Sequence, residues 1–118
     1  MPDDGGVLLD ILGAAQSALK FRGRMGKRAF MRDAKTQSAV LHQLMILGEA
    51  TKRLSEGFRK GHPAVPWRMI SGMRNALIHE YGAVDLEEVW RTLEKDIPAL
   101  IAYVRPLVPA RRGKAGRS

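Results

Sequence analysis

Cysteine is missing from the 118-residue chain, which removes disulfides, thiol nucleophiles and thiolate metal sites from consideration. Its absence fits a reducing compartment. No run approaches the roughly 18 consecutive apolar residues that a membrane span needs. The opening Met1-Pro2-Asp3-Asp4 is acidic where a secretory signal would be basic. The expectation is therefore a cytoplasmic protein with no membrane partner. The period-two alternation of a half-buried strand is absent throughout, as is any internal repeat. Acidic side chains are outnumbered, with 12 Asp and Glu against 20 Lys and Arg and a formal net charge of +8.

That imbalance favours polyanionic partners through neutralisation of phosphates. It is also unevenly placed. Lys20, Arg22, Arg24, Lys27, Arg28, Arg32 and Lys35 face only Asp33 between positions 20 and 35, and Arg111, Arg112, Lys114 and Arg117 crowd the last residues. The segment 109–118 has no large apolar side chain beyond Pro109 and is expected to be a disordered basic tail. Residues 1–108 are one domain's worth of chain. Within them Arg22, Arg24, Lys27 and Arg28 are the candidates for contact with a polyanion such as a nucleic acid, whereas the tail reads at least as well as a solvated extension.

What is present is helical periodicity. Val7, Leu8, Ile11, Leu12, Ala15 and Leu19 form one apolar stripe, with Asp3 or Asp4 as cap and Gly23 as stop. A short turn of helix fits Lys27–Met31. A second long helix is expected from Ala34 to about Phe58, capped by Asp33, with Val40, Leu44, Leu47, Leu54 and Phe58 as its stripe. Gly48, Thr51 and Ser55 lie on the same side and would admit a close neighbour. Met45 and Ile46 point elsewhere, which suggests a subunit interface. After the break at Gly57, Gly61 and Pro63, Pro66 opens a third helix expected to reach Glu80 before Gly82. Asp85-Leu86-Glu87-Glu88 resembles a capping box for a fourth helix, which Pro98 should kink. The expected fold is all-α: an up-and-down bundle of four main helices, with one extra short helix.

Chemistry is harder to place from residues alone. Arg74 falls in the middle of the apolar face that Trp67, Ile70, Leu77, Ile78 and Tyr81 would share on a continuous helix. A guanidinium buried there needs a carboxylate, with Asp10 or Glu49 as the candidates, or an anionic ligand. His79 would lie roughly 140° around the same helix at 100° per residue. Taken alone it reads as an ordinary helix-end histidine. His79-Glu80 does not continue to a second histidine, and His42, His62 and His79 lack metal-ligand spacing, so no metal site is expected. Gly26-Lys27 only faintly suggests a phosphate loop: Phe21 stands where the first glycine belongs and Arg28 where the hydroxyl residue belongs. Trp67 and Trp90 read as core or interface residues and not as stacking platforms.

The segment from Met73 to Tyr81 changes this reading as a unit. Arg74, four residues, His79, one residue, Tyr81 resembles the signature of HEPN-domain toxins, specifically those of the HepT-like family. Further matching stretches are Asp10-Ile11-Leu12, Leu47 to Ser55, His62 to Trp67, Ile70 to Asn75, Gly82 to Leu86 and Asp96-Ile97-Pro98. The similarity covers about residues 7 to 108. The connector from Arg22 to Arg32 departs from it by being far more basic than such proteins usually are.

The resemblance implies a helical homodimer, or an oligomer of dimers, whose paired motifs form a metal-independent ribonuclease site without a cofactor. It further implies the toxin half of a type VII-like toxin–antitoxin pair. The antitoxin would be a minimal nucleotidyltransferase that transfers AMP to Tyr81. Under that reading His79 moves the proton of the ribose 2′-hydroxyl and Arg74 stabilises the phosphate transition state. Asn75 would contact substrate or orient the site, Tyr81 would position RNA, and Asp10 or Glu49 would support Arg74. Two other readings stay open: a non-catalytic HEPN domain that binds nucleotide or serves a nucleotidyltransferase, and a basic dimer that binds nucleic acid as a scaffold.

Overall fold

The computed structural model describes residues 3–79 and 82–109. Tyr81, Glu80 and the tail beyond Pro109 lie outside the described residues. Helix α1 (Asp4–Arg22) begins where the Asp3 side chain accepts the Gly6 N–H, and it ends at Gly23. There the backbone turns to φ +59° and the Gly23 N–H closes on the Leu19 carbonyl, a conformation that glycine adopts without strain. Leu8, Ile11, Ala15 and Ala18 bury its inner face. The connector carries the expected short helix, α2 (Lys27–Phe30), which drives Phe30 into the core. Helix α3 (Ala34–Thr51) starts at Asp33, whose carboxylate accepts the Thr36 N–H.

Helices α1 and α3 are antiparallel: Asp10 meets Arg53 and Asp4 meets Ser55 at one end, while the short connector joins them at the other. Helix α3 stops at Thr51 instead of continuing to Phe58. The Asp4 carboxylate takes both the N–H and the hydroxyl of Ser55, at 2.8 and 2.7 Å. The hydroxyl oxygen of Ser55 in turn accepts the Phe58 N–H at 3.1 Å. Ser55 therefore caps a new helix, α4 (Glu56–Gly61), and cannot serve as the interior of an old one.

The third expected helix is also broken. Helix α5 (Trp67–Ser71) and helix α6 (Met73–Leu77) meet at Gly72. Ile70, Met73 and Leu77 pack into the core from this segment, and its close approach to α3 is made at Gly48. The helical conformation ends at Leu77, because Ile78 is extended and pairs as an isolated antiparallel bridge with Val84. Both partners are β-branched and suit that geometry.

The last helical rod is continuous but not uniform. Helix α7 (Leu86–Arg91) passes through a π-helical turn (Thr92–Asp96) into helix α8 (Ile97–Val104). In that turn the Ile97 N–H reaches the Thr92 carbonyl five residues back. The bulge lies directly before Pro98, which has no N–H to offer. Val89, Leu93, Ile97 and Val104 are buried along the rod, and its α8 portion packs against α1. The described residues contain no named strand, and the fold is all-α as expected.

Candidate active site

The placement of His79 and Asp85 follows from where α6 stops. The Leu77 side chain is buried in the core, and its carbonyl accepts the Asp85 N–H at 2.8 Å. One step further out, the His79 N–H reaches the Ala83 carbonyl at 2.8 Å, and the Gly82 N–H returns to the His79 carbonyl at 3.1 Å. Gly82 sits at φ +79°, where a side chain would be strained. The result is a turn closed at its base and stapled to α7.

Asp85 begins α7 by accepting the Glu88 N–H on Oδ1 at 3.0 Å. It needs no reciprocal bond from Glu88, because its own N–H is already used by Leu77. Glu88 instead pairs with Arg91, and the arrangement is a helix cap without the second half of a capping box. The other Asp85 oxygen, Oδ2, lies 3.2 Å from Nε2 of His79. The Glu88 backbone N–H, and after it His79, hold the Asp85 carboxyl below the usual carboxylate range. The Arg91 guanidinium likewise lowers Glu88. The sequence marks Asp85 only as a cap; its contact with His79 becomes visible when the turn folds back.

His79 is exposed, as are Arg74 and Asn75 on α6. This corrects the burial expected for Arg74. Because α6 ends at Leu77, the continuous helical face that would have enclosed the guanidinium does not exist. Its two candidate partners are also engaged elsewhere: Asp10 with Arg53 at 2.8 Å and Glu49 with Lys52 at 2.9 Å. Among the described residues Arg74 has no ion pair. An exposed guanidinium presents its donor fork to solvent and to any phosphate that reaches it.

The basic connector divides into two kinds of residue. Arg22 is structural: its side chain is only 17% exposed, pairs with Glu94, and lies 5.4 Å over the Trp90 ring. Trp90 packs in turn on Phe30. Lys27 pairs with Glu87 at 2.7 Å, which brings the connector beside the first turn of α7 and hence beside the His79–Asp85 pair. Arg24 and Arg28 are exposed.

A separate apolar groove of about 320 Å³ runs along α5 and α6, lined by Met69, Ile70, Met73 and Ala76 and by Tyr103 from α8. Among the described residues no three His, Asp or Glu side chains gather as a metal site, and no helix is long and apolar enough to cross a membrane.

A family model described as ribonuclease HepT-like matches residues 11–107. The chain is 41% identical over 93 residues to the "Probable ribonuclease HepT" of Thermococcus cleftensis, covering 79% of this chain and 84% of that protein. A protein of Caldanaerobacter subterraneus subsp. tengcongensis carrying the name "Putative RNase" is 42% identical over 79 residues, 67% of this chain and 70% of its own length. One of the same designation from Methanocaldococcus jannaschii is 34% identical over 101 residues, 86% and 84% of the two chains. No solved structure matches.

Proposed function

The chain belongs to the HepT-like ribonuclease family, and from that premise we propose that it is a metal-independent endoribonuclease acting as the toxin of a toxin–antitoxin pair in the cytoplasm. The observation that carries this reading is the pairing of exposed His79 with Asp85 on a stapled turn, next to the helix that displays Arg74. An imidazole titrates near neutral pH, so it can accept the ribose 2′-hydroxyl proton and return it to a leaving group. The 2′-oxygen then attacks the adjacent phosphorus, the bond from phosphorus to the 5′-oxygen breaks, and a 2′,3′-cyclic phosphate remains. Arg74 offsets the charge that builds on the phosphate oxygens. Asn75 lies one residue along and contacts the substrate or orients the site.

The catalytic unit of this proposal is residues 1–108 as a homodimer, with the partner subunit's His79 supplying the proton to the departing 5′-oxygen. The exposed Met69 and the apolar groove on the same segment as Arg74 support an interface close to the motif. Exposed Arg24 and Arg28 extend the RNA path along the connector. The antitoxin is a minimal nucleotidyltransferase, and AMP transferred to Tyr81 would add bulk and negative charge where RNA enters.

The test is cleavage of an RNA pool in EDTA by unmodified protein, with His79→Ala alongside and analysis of the product ends. Cyclic-phosphate ends that vanish in a folded His79→Ala protein are expected. An intact RNA pool would instead favour a non-catalytic, nucleotide-binding domain.

A further inference from the structure

We propose that Asp85 is the positioning residue of His79: it holds the ring as the Nε2–H tautomer, so that Nδ1 is the nitrogen that takes up the substrate proton. The catalytic half of this inference rests on the ribonuclease reading; the tautomer does not. The two carboxylate oxygens of Asp85 have separate partners, Oδ1 the Glu88 N–H at 3.0 Å and Oδ2 the His79 ring at 3.2 Å. An ionised carboxylate accepts hydrogen bonds and donates none, so the ring nitrogen facing it must carry the hydrogen. In a neutral imidazole that leaves the lone pair on Nδ1, away from Asp85.

Both side chains are set by backbone bonds on either side of the turn, the Asp85 N–H to the Leu77 carbonyl and the His79 N–H to the Ala83 carbonyl. A carboxylate that is itself anchored by a helix N-terminus holds a ring far better than a free surface aspartate would. The surrounding charges are largely committed to one another. Glu88 pairs with Arg91, Glu87 of α7 pairs with Lys27 of α2, and Arg74 stands exposed on α6. Asp85 is thus the carboxylate in direct contact with the ring among the described residues.

In the reaction, Nδ1 takes the 2′-hydroxyl proton as the 2′-oxygen bonds to phosphorus, and the 5′-oxygen leaves with a proton from the partner subunit's His79 or from water. The ring becomes an imidazolium whose Nε2–H still points at Asp85. The carboxylate therefore stabilises a charge that exists only after proton transfer begins.

The experiment uses the full chain and its Asp85→Asn variant. Asparagine caps a helix about as well as aspartate, so the fold should hold; Asp85→Ser, which also caps, substitutes if it does not. Nitrogen-15 NMR of the His79 ring, identified by its loss in His79→Ala, reads the tautomer without any RNA. The wild-type ring is expected as Nε2–H. In Asp85→Asn the tautomers should mix. RNA cleavage at neutral pH should drop about tenfold. A tautomer unchanged by the substitution would overturn the proposal, as would wild-type cleavage in a variant whose tautomers had mixed. The expected NMR change in a wild-type protein that cuts no RNA would uphold the pairing and overturn the ribonuclease reading instead.

Discussion

Gly13 and Gly48 each lie inside a long helix, and alanine at each should have opposite consequences. Gly13 is exposed on α1, and a Cβ there would meet nothing within 4 Å. Gly13→Ala should therefore show the plain backbone gain, about 1 kcal/mol of added stability. Gly48 is buried on α3, and its Cβ would stand 3.1 Å from the Ile70 carbonyl oxygen and 3.7 Å from Cβ of Met73. The backbone gain is the same, but α5 must move by a few tenths of an ångström to admit the methyl. Overpacking of this kind costs about 1–3 kcal/mol, and a backbone carbonyl yields less readily than a side-chain tip. The net for Gly48→Ala is about 0–2 kcal/mol of destabilisation, so the two variants should differ by about 1–3 kcal/mol. Urea unfolding followed by far-ultraviolet circular dichroism, at one protein concentration, measures that difference directly. If Gly48→Ala gained as much stability as Gly13→Ala, the close approach of α5 to α3 would be refuted. The support under Arg74 would fall with it, because α6 continues from α5 through Gly72.

The connector predicts a division of labour. Arg22→Ala should lower stability by about 1 kcal/mol by removing the Glu94 pair and the stack on Trp90, whereas exposed Arg28→Ala should change it by less than about 0.5 kcal/mol. Arg28→Ala should instead weaken RNA binding and reduce the salt slope by about 0.7, measured by fluorescence titration over a range of salt; the reverse pattern would sink the assignment. Acid should unfold the protein partly through Asp4, which is lowered first by the Ser55 N–H and then by its hydroxyl. A depressed folded-state value means that this stabilisation is complete above the ordinary carboxylate range, about pH 4, and is lost as pH falls through the folded value. Asp4→Asn should flatten the stability profile below about pH 4, and an unchanged acid limb in chemical denaturation would argue against the Asp4–Ser55 corner.

Much of the fold was legible because caps and stripes are local. Asp3, Asp33 and Asp85 each begin a helix by accepting an N–H three residues ahead, and Gly23 ends one, as residue type and position suggest. The early end of α3 was not legible because it depends on a partner distant in sequence. Ser55 looks like a small residue on the inner face of a long helix until Asp4, 51 positions away, takes its N–H and hydroxyl. Periodicity counts apolar side chains and cannot register a polar corner made by another element.

The site shows the same limit more sharply. A helical wheel carried through Glu80 puts Arg74 on a buried face and turns His79 away from it, and both inferences depend on helix that ends at Leu77. The clues to that ending are present: β-branched Ile78 and Val84 flank a glycine that can take positive φ, and together they favour a turn. They are outweighed when the apolar residues are counted at helical spacing. The four residues between Arg74 and His79 thus join the end of a helix to the start of a turn, and the spacing is not that of a helix face. The same turn returns the chain to Asp85 six residues after His79, where the oxygen left over from capping α7 meets the ring. A cap can be read from local sequence. Its second, unused oxygen acquires a partner only through the turn, which is why the pairing of His79 with Asp85 had to be found in three dimensions.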